Sequence, residues 1–389
     1  MRLGFGKDWT DLKKFEELDD KQRSIVFYAE NKASINHFRL LISEITEIEK
    51  IQICYVTSVK NDPMLSFKNK NIFTFYIGNK TARIKFFITL KSKILITDMP
   101  DLNTYHIKRS KVYPVHYIYV FHSMFSIHSY LRKGAIDNYD TIFCVGEHHK
   151  KEIIEMEKTY GLKRKKLIEY GFGRLDSLLH EKQKFKQSDE SDDGFIIITP
   201  SYGKDNIIEI CSIELLEILL KANFRVLLRP HFRTLKESKK KINEILNKFG
   251  GNPNFMFERG IIPSEKFYKS KCMISDWSGI SLEYAFTFKR PVIFIDVPKK
   301  ILNPNFDQIA LEPIEISIRK KIGYVISPKN LEKIPDIIKK IDHDEFINEQ
   351  IMKTRSETVY NLGKSTKIGV KVIKEIYNNQ CKLDTDKAN

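Results

Sequence analysis

The feature that most constrains this chain is a rhythm of short apolar runs with helical stretches between them. The first series is "RSIVFYAE" (23–30), "IQICYVTS" (51–58), "NIFTFYIG" (71–78), "KILITDMP" (93–100), "HYIYVFHS" (116–123), "TIFCVG" (141–146) and "KLIEYGFG" (166–173). A polar stretch, "HEKQKFKQSDESDDG" (180–194), interrupts it. The rhythm then restarts with "FIIITPS" (195–201), "FRVLLRPH" (224–231), "NFMFERG" (254–260), "KCMISDW" (271–277) and "RPVIFIDV" (290–297). Most runs are continuously apolar, as strands are when helices cover both faces of a parallel sheet. The pattern predicts an α/β fold of two tandem Rossmann-like, doubly wound domains facing a central cleft.

The 389 residues suit two cores better than one. The expected division is a first domain over 1–180, a linker over 181–194, a second domain over 195–365, and a C-terminal helix and tail over 366–389. Beyond residue 297 the spacing loosens, and "TKIGVKVIKEIYNNQ" (366–380) reads as a closing amphipathic helix.

Charge narrows the partners. Sixty-six Lys and Arg against 50 Asp and Glu give a formal +16, which suits nucleic acid, anionic lipid headgroups or phosphorylated substrates. The basic clusters, such as "KKEIIEMEKTYGLKRKK" (150–166) and "KESKKK" (236–241), are interleaved with acids in helical stretches. Solvated helix faces explain them, and an anionic membrane surface is the sharper alternative. No recognisable nucleic-acid module accompanies them, so no nucleic acid is expected as a partner. The five cysteines form no CxxC pair and read as small buried hydrophobes. No apolar run approaches the roughly 18 residues of a membrane span. The N-terminal stretch alternates charge too closely for a signal peptide. These features predict a cytoplasmic protein.

In open α/β sheets ligands bind beyond the carboxyl ends of the strands, and those ends carry an unusual set of side chains. In "LLRPHF" (227–232) Pro230 forces the chain out of the sheet between Arg229 and His231. In "MISDWSGISLEYAF" (273–286) a strand ends at Asp276, and Ser278 and Gly279 open a helix whose N–H groups favour a phosphate. "TPSYGK" (199–204) offers Ser201 and Lys204 to an anion, while "YGFGRLDSLL" (170–179) sets Arg174 and Asp176 before the linker, suited to a structural or hinge role. "FHSMFSIH" (121–128) carries His122 at a strand end and His128 six residues on. Taken singly, each has a plainer reading as a surface turn or an ordinary helix start. "GFGRLD" lacks the third glycine of a dinucleotide fingerprint, which excludes a nicotinamide enzyme; Walker-lysine and HExxH motifs are absent as well.

Taken in order, the set resembles the CDP-glycerol glycerophosphotransferase family of teichoic-acid primases and polymerases. The family's "FYSEG", "WHGTP", "GYPRND", "APTWR", "LRxHP" and "SDYSSxxFDYxxLxRPxIFY" align with six segments here. They are "FYAEN" (27–31), "FHSMF" (121–125), "GFGRLD" (171–176), "TPSYGK" (199–204), "LRPHF" (228–232) and "SDWSGISLEYAFTFKRPVIFID" (275–296). The resemblance implies a GT-B fold with an acceptor-side first domain and a nucleotide-donor second domain. It implies transfer of glycerol phosphate or ribitol phosphate from a CDP-activated donor to a hydroxyl of a lipid-linked or surface glycan, with release of CMP. It also implies work at the inner face of the plasma membrane. A GT-B glycosyltransferase using a nucleotide sugar is the alternative.

Carried over by position, His122 becomes the general base toward the acceptor and His231 a catalytic residue near the donor diphosphate. Arg229, Ser201, Lys204, Ser278, Gly279 and Glu283 become donor and phosphate ligands, with Arg174, Asp176 and Asp276 structural. No cofactor is implied beyond the CDP-polyol donor, and no metal ligands are evident, since no Asp-x-Asp motif occurs. "WHGTP" has lost its Trp, Gly, Thr and Pro to Phe121, Ser123, Met124 and Phe125, a remodelled acceptor side. The paired serines of the phosphate helix have become Ser278 and Gly279.

Overall fold

The structure, a computed structural model, describes residues 5–185, 194–260, 264–341 and 344–388. Two parallel sheets carry the fold. The first contains β1 (Ile25–Ala29), β2 (Ile53–Thr57), β3 (Ile72–Tyr76), β4 (Ile94–Thr97), β5 (His116–Val120), β6 (Thr141–Cys144) and β7 (Lys166–Glu169), in the order β3-β2-β1-β4-β5-β6-β7. The second contains β8 (Phe195–Thr199), β9 (Val226–Leu228), β10 (Phe255–Phe257), β11 (Ser270–Ser275), β12 (Val292–Ile295) and β13 (Gly323–Ile326), in the order β10-β9-β8-β11-β12-β13. Both orders reverse next to their first strand, between β1 and β4 and between β8 and β11. These are the switch points at which doubly wound sheets hold ligands.

The expected two-domain α/β architecture is borne out, and all twelve apolar runs are strands. The thirteenth strand escaped the reading because "GYVI" is short, follows a basic stretch and is only partly buried. Its glycine is sterically required, since a Cβ on Gly323 would lie 1.8 Å from the Val292 carbonyl oxygen. Of the linker, 181–185 continue the helix Gly173–Phe185 and 186–193 lie outside the described residues.

The final helix, Ser365–Ala388, does more than close the second domain. Its Val370, Val372, Ile373 and Ile376 are buried against Ile25, Phe27, Phe38 and Leu41 of the first domain. Each such side chain contributes roughly 1.5–3 kcal/mol of burial. The chain therefore crosses between the domains a second time. The crossing is stitched down by Tyr360 N–H donating to the Val145 carbonyl at 2.9 Å. It also runs so close to Gly171 (φ +104°) that a Cβ there would lie 2.3 Å from the Tyr360 oxygen.

Candidate active site

One side of the candidate site is built at the switch point of the second sheet. Asp276 follows β11, is buried, and accepts the amides of Ser201 at 2.7 Å and Ile207 at 3.0 Å. Burial raises its pKa, and these bonds, with the Ser201 hydroxyl, pull it back. Asp276 thus holds the loop after β8 in place. Ser201 is turned inward to that carboxylate, a strut of the loop. Lys204 stands exposed in the turn beyond. The helix Ile280–Phe288 starts beside them with Gly279, not Ser278, at the cap position. The Ser278 carbonyl accepts the amide and hydroxyl of Ser281 at 3.0 and 2.7 Å.

His231 leaves β9 through Pro230. Its Nδ1 accepts the Arg233 N–H at 3.2 Å, which leaves the ring proton on Nε2. The ring lies 4.6 Å from that of Tyr202, over which Arg233 and Lys300 also sit, Arg233 Cζ at 4.2 Å and Lys300 Nζ at 3.0 Å. Burial first, then Lys300, Arg229 and Arg233, push the His231 pKa down to about 4. His231 is therefore neutral at pH 7, with Nε2–H as its donor.

The other side of the candidate site lies beyond β5. His122 is half-buried, and burial lowers its pKa against a hydrogen bond to the Asp98 backbone carbonyl. Its Nδ1 is 3.5 Å from the Tyr119 hydroxyl, and its ring is 6.3 Å from that of His37 and 5.8 Å from that of Tyr130. An imidazole titrating below about 6.5 is in its base form at neutral pH. His37 Nδ1 and Asp98 Oδ1 are buried without a hydrogen-bond partner among the described residues. Burial pushes the Asp98 carboxyl up to about 7. Buried polar atoms rarely stay unpaired.

The two sides meet. A Cβ on Gly279 would lie only 3.3 Å from Ser123 Oγ, so the residue after His122 sits beside the start of the helix Ile280–Phe288. Tyr130 lies in the electrostatic reach of Tyr202 and Arg233 from the other domain. Across the same junction Arg174 Nε is 3.6 Å from Glu283 Oε2, and Arg229 acts on that carboxylate from the far side. Glu283, expected among the phosphate ligands, is therefore the acid of a domain bridge, where a second anion would be repelled. Asp176 does not pair with Arg174. It accepts the Gly363 amide at 2.7 Å and the Ser365 amide at 3.1 Å, with the Ser365 hydroxyl as a further donor, anchoring the returning helix.

His128, which the sequence left without a role, joins the domains. Its Nε2–H donates to the Leu311 carbonyl at 3.0 Å, while Nδ1 lies 3.0 Å from Glu152. Around it the Ser126 amide donates to Glu315 at 3.0 Å, and Asn303 Nδ2 donates to the His128 carbonyl at 2.8 Å. Nothing in "FHSMFSIH" signals this, because every partner lies on remote segments. Lys300, Arg233 and Tyr202 were missed likewise, coming from loops after three different strands.

The sequence profile described as CDP-glycerol:poly(glycerophosphate) glycerophosphotransferase matches residues 12–299. The chain belongs to this glycerophosphotransferase family. Its members' fold is shared by a variant of the wall teichoic acid polymerase TagF, at 13% identity and a TM-score of 0.62 over 97% of this chain and 93% of that one. A second TagF structure, soaked with CDPG, superposes at 15% identity and 0.59 over 96% and 92%. The UDP-GlcNAc 2-epimerase from Neisseria meningitidis bound to UDP-GlcNAc gives 14% and 0.61 over 90% and 100%. At these identities the likenesses establish the GT-B fold. No curated protein sequence matches the chain. As a glycerophosphotransferase-family enzyme, it departs from the motifs that carry the resemblance at Ser123 and Gly279, two residues that approach each other between the domains. Among the described residues no helix is long and apolar enough to cross a membrane.

Proposed function

We propose that this enzyme transfers glycerol phosphate from CDP-glycerol to a hydroxyl of a lipid-linked or surface glycan acceptor, releasing CMP, with ribitol phosphate from CDP-ribitol as the related donor. The observation that carries the proposal is the close approach of Ser123 Oγ to Gly279, which sets the His122 loop beside the donor-side helix start. The diphosphate lies at the amides of Gly279 and Ile280, beside Ser278, Arg229 and the Nε2–H of His231. Free helix-terminal N–H groups favour an anion there. The acceptor hydroxyl enters between His122, His37 and Asp98. His122 takes its proton as the oxygen attacks the β-phosphorus, a task suited to a neutral imidazole. Positive groups and amides then offset the charge growing on the departing CMP.

Exposed Lys151, Ile154, Lys163 and Arg164 support work at an anionic membrane surface, although Lys150, Lys158 and Lys165 of the same cluster are paired with Glu169, Glu155 and Glu157.

The test is mass spectrometry of products after incubation with CDP-glycerol, CDP-ribitol or a nucleotide sugar and a lipid-linked glycan. The expected product gains a polyol phosphate, and CDP raises the melting temperature. Stabilisation by UDP but not CDP, with sugar in the product, would replace this reading by a glycosyltransferase.

A further inference from the structure

Lys300 follows β12 on a loop that folds back over the donor side. Its ammonium rests 3.0 Å from the Tyr202 ring centroid, on the ring that also carries Arg233 and lies beside His231. Loops after β8, β9 and β12 thus deliver Tyr202, His231 with Arg233, and Lys300 to one spot at the carboxyl edge of the sheet. The charges there are unevenly balanced. Arg233 is paired with Glu237 at 2.9 Å, and Arg229 faces Glu283 and Glu258. Lys300 is half-buried and has no carboxylate within ion-pair distance among the described residues. Asp276 reaches it only at longer range, because the Asp276 oxygens are engaged by the amides of Ser201 and Ile207. An ammonium drawn out of water without a counter-ion is costly, and an arriving anion removes that cost.

We infer that Lys300 grips the donor diphosphate and stabilises the CMP phosphate as it leaves, filling the role that the resemblance gave to Lys204. This rests on the transfer reading above. In the step, the acceptor oxygen forms a bond to the β-phosphorus and its proton passes to His122. The bond from that phosphorus to the CMP oxygen breaks, and its electron pair stays on CMP. Lys300 keeps its protons throughout and supplies positive charge. Tyr202 holds the ammonium in place through its ring face.

The groups facing Lys300 are Asp276, Arg233, Glu237, His231 and Tyr202. Burial lowers its pKa to about 8, Asp276 and Glu237 opposing and Arg233 assisting. The ammonium is therefore present below about pH 8 and lost above it, and kcat/KM falls on that alkaline limb.

The experiment compares the full chain with Lys300→Ala, Lys300→Arg and, as a neighbouring control, Lys299→Ala. Each is assayed for CDP-glycerol turnover across pH and for calorimetric binding of inorganic pyrophosphate and cytidine. Lys300→Ala should lose roughly 100-fold in kcat/KM and bind pyrophosphate more weakly, with cytidine unaffected. Lys300→Arg should recover most of the rate and lose the alkaline limb, and Lys299→Ala should match the wild type. Wild-type kcat/KM and pyrophosphate affinity in Lys300→Ala, or an alkaline limb that persists in Lys300→Arg, would overturn the inference. A wild type that binds pyrophosphate through Lys300 yet turns over no CDP-glycerol would support the anion site while removing the transfer reading.

Discussion

At the scale of single residues, the two histidines at strand ends are tuned alike and, in the proposed reaction, used differently. Both are held below the ordinary histidine range, His122 by burial and His231 by burial with three nearby cations. For a base, a depressed pKa keeps the acceptor form available at neutral pH. For a hydrogen-bond donor it fixes the proton on Nε2, because Nδ1 is occupied by the Arg233 amide. The sign of the pH dependence follows. His122 is protonated and idle only at low pH, so kcat/KM should fall as pH drops through a value below about 6.5. Replacing His122 by Asn should leave only a small residual rate without that acid limb, whereas an unaltered limb in the variant would assign it to another group. The positions of these residues were legible, since proline and the end of an apolar run mark where a strand must stop. Their protonation was not, because Lys300, Arg229 and Arg233 converge on His231 only in three dimensions.

At the scale of elements, the segment that follows His122 is held from both domains. Its His128 donates from Nε2 to Leu311 and holds Nδ1 3.0 Å from the Glu152 carboxylate, an ion pair that fits the imidazolium. Burial lowers the pKa of His128, but Glu152, Leu311 and Glu315 outweigh it and leave the value raised. This contribution to stability is therefore complete below about pH 6.5 and is lost as pH rises through the raised folded value. His128→Ala removes one partner from a fully buried pair and should destabilise the protein by about 3 kcal/mol. Urea unfolding at pH 6 measures this, and a change under 1 kcal/mol would show the latch to be dispensable. Sequence periodicity revealed the helix at 366–380 but not its destination. The apolar face of that helix fits either domain, and the choice is made by Asp176 at its start and by the glycines that admit the returning strand of chain. The reassignment of Glu283 has the same origin, since its partner Arg174 lies over a hundred residues earlier.

At the scale of the molecule, two doubly wound sheets carry the fold, and Ser123 of the first approaches Gly279 of the second. The alternation of apolar runs made this architecture readable, because parallel strands covered on both faces leave a continuous apolar signature. The relative placement of the walls was not readable, since it depends on the Arg174–Glu283 bridge, the His128 junction and the returning helix together. The division of labour between walls is the central claim, with acceptor chemistry on the first domain and donor binding on the second. It is tested most directly by measuring CDP-glycerol turnover and CDP affinity in parallel for His122→Ala. The account predicts a rate reduced by roughly 100-fold or more with CDP affinity unchanged. Equal loss of affinity and rate, or full activity without the histidine, would contradict it.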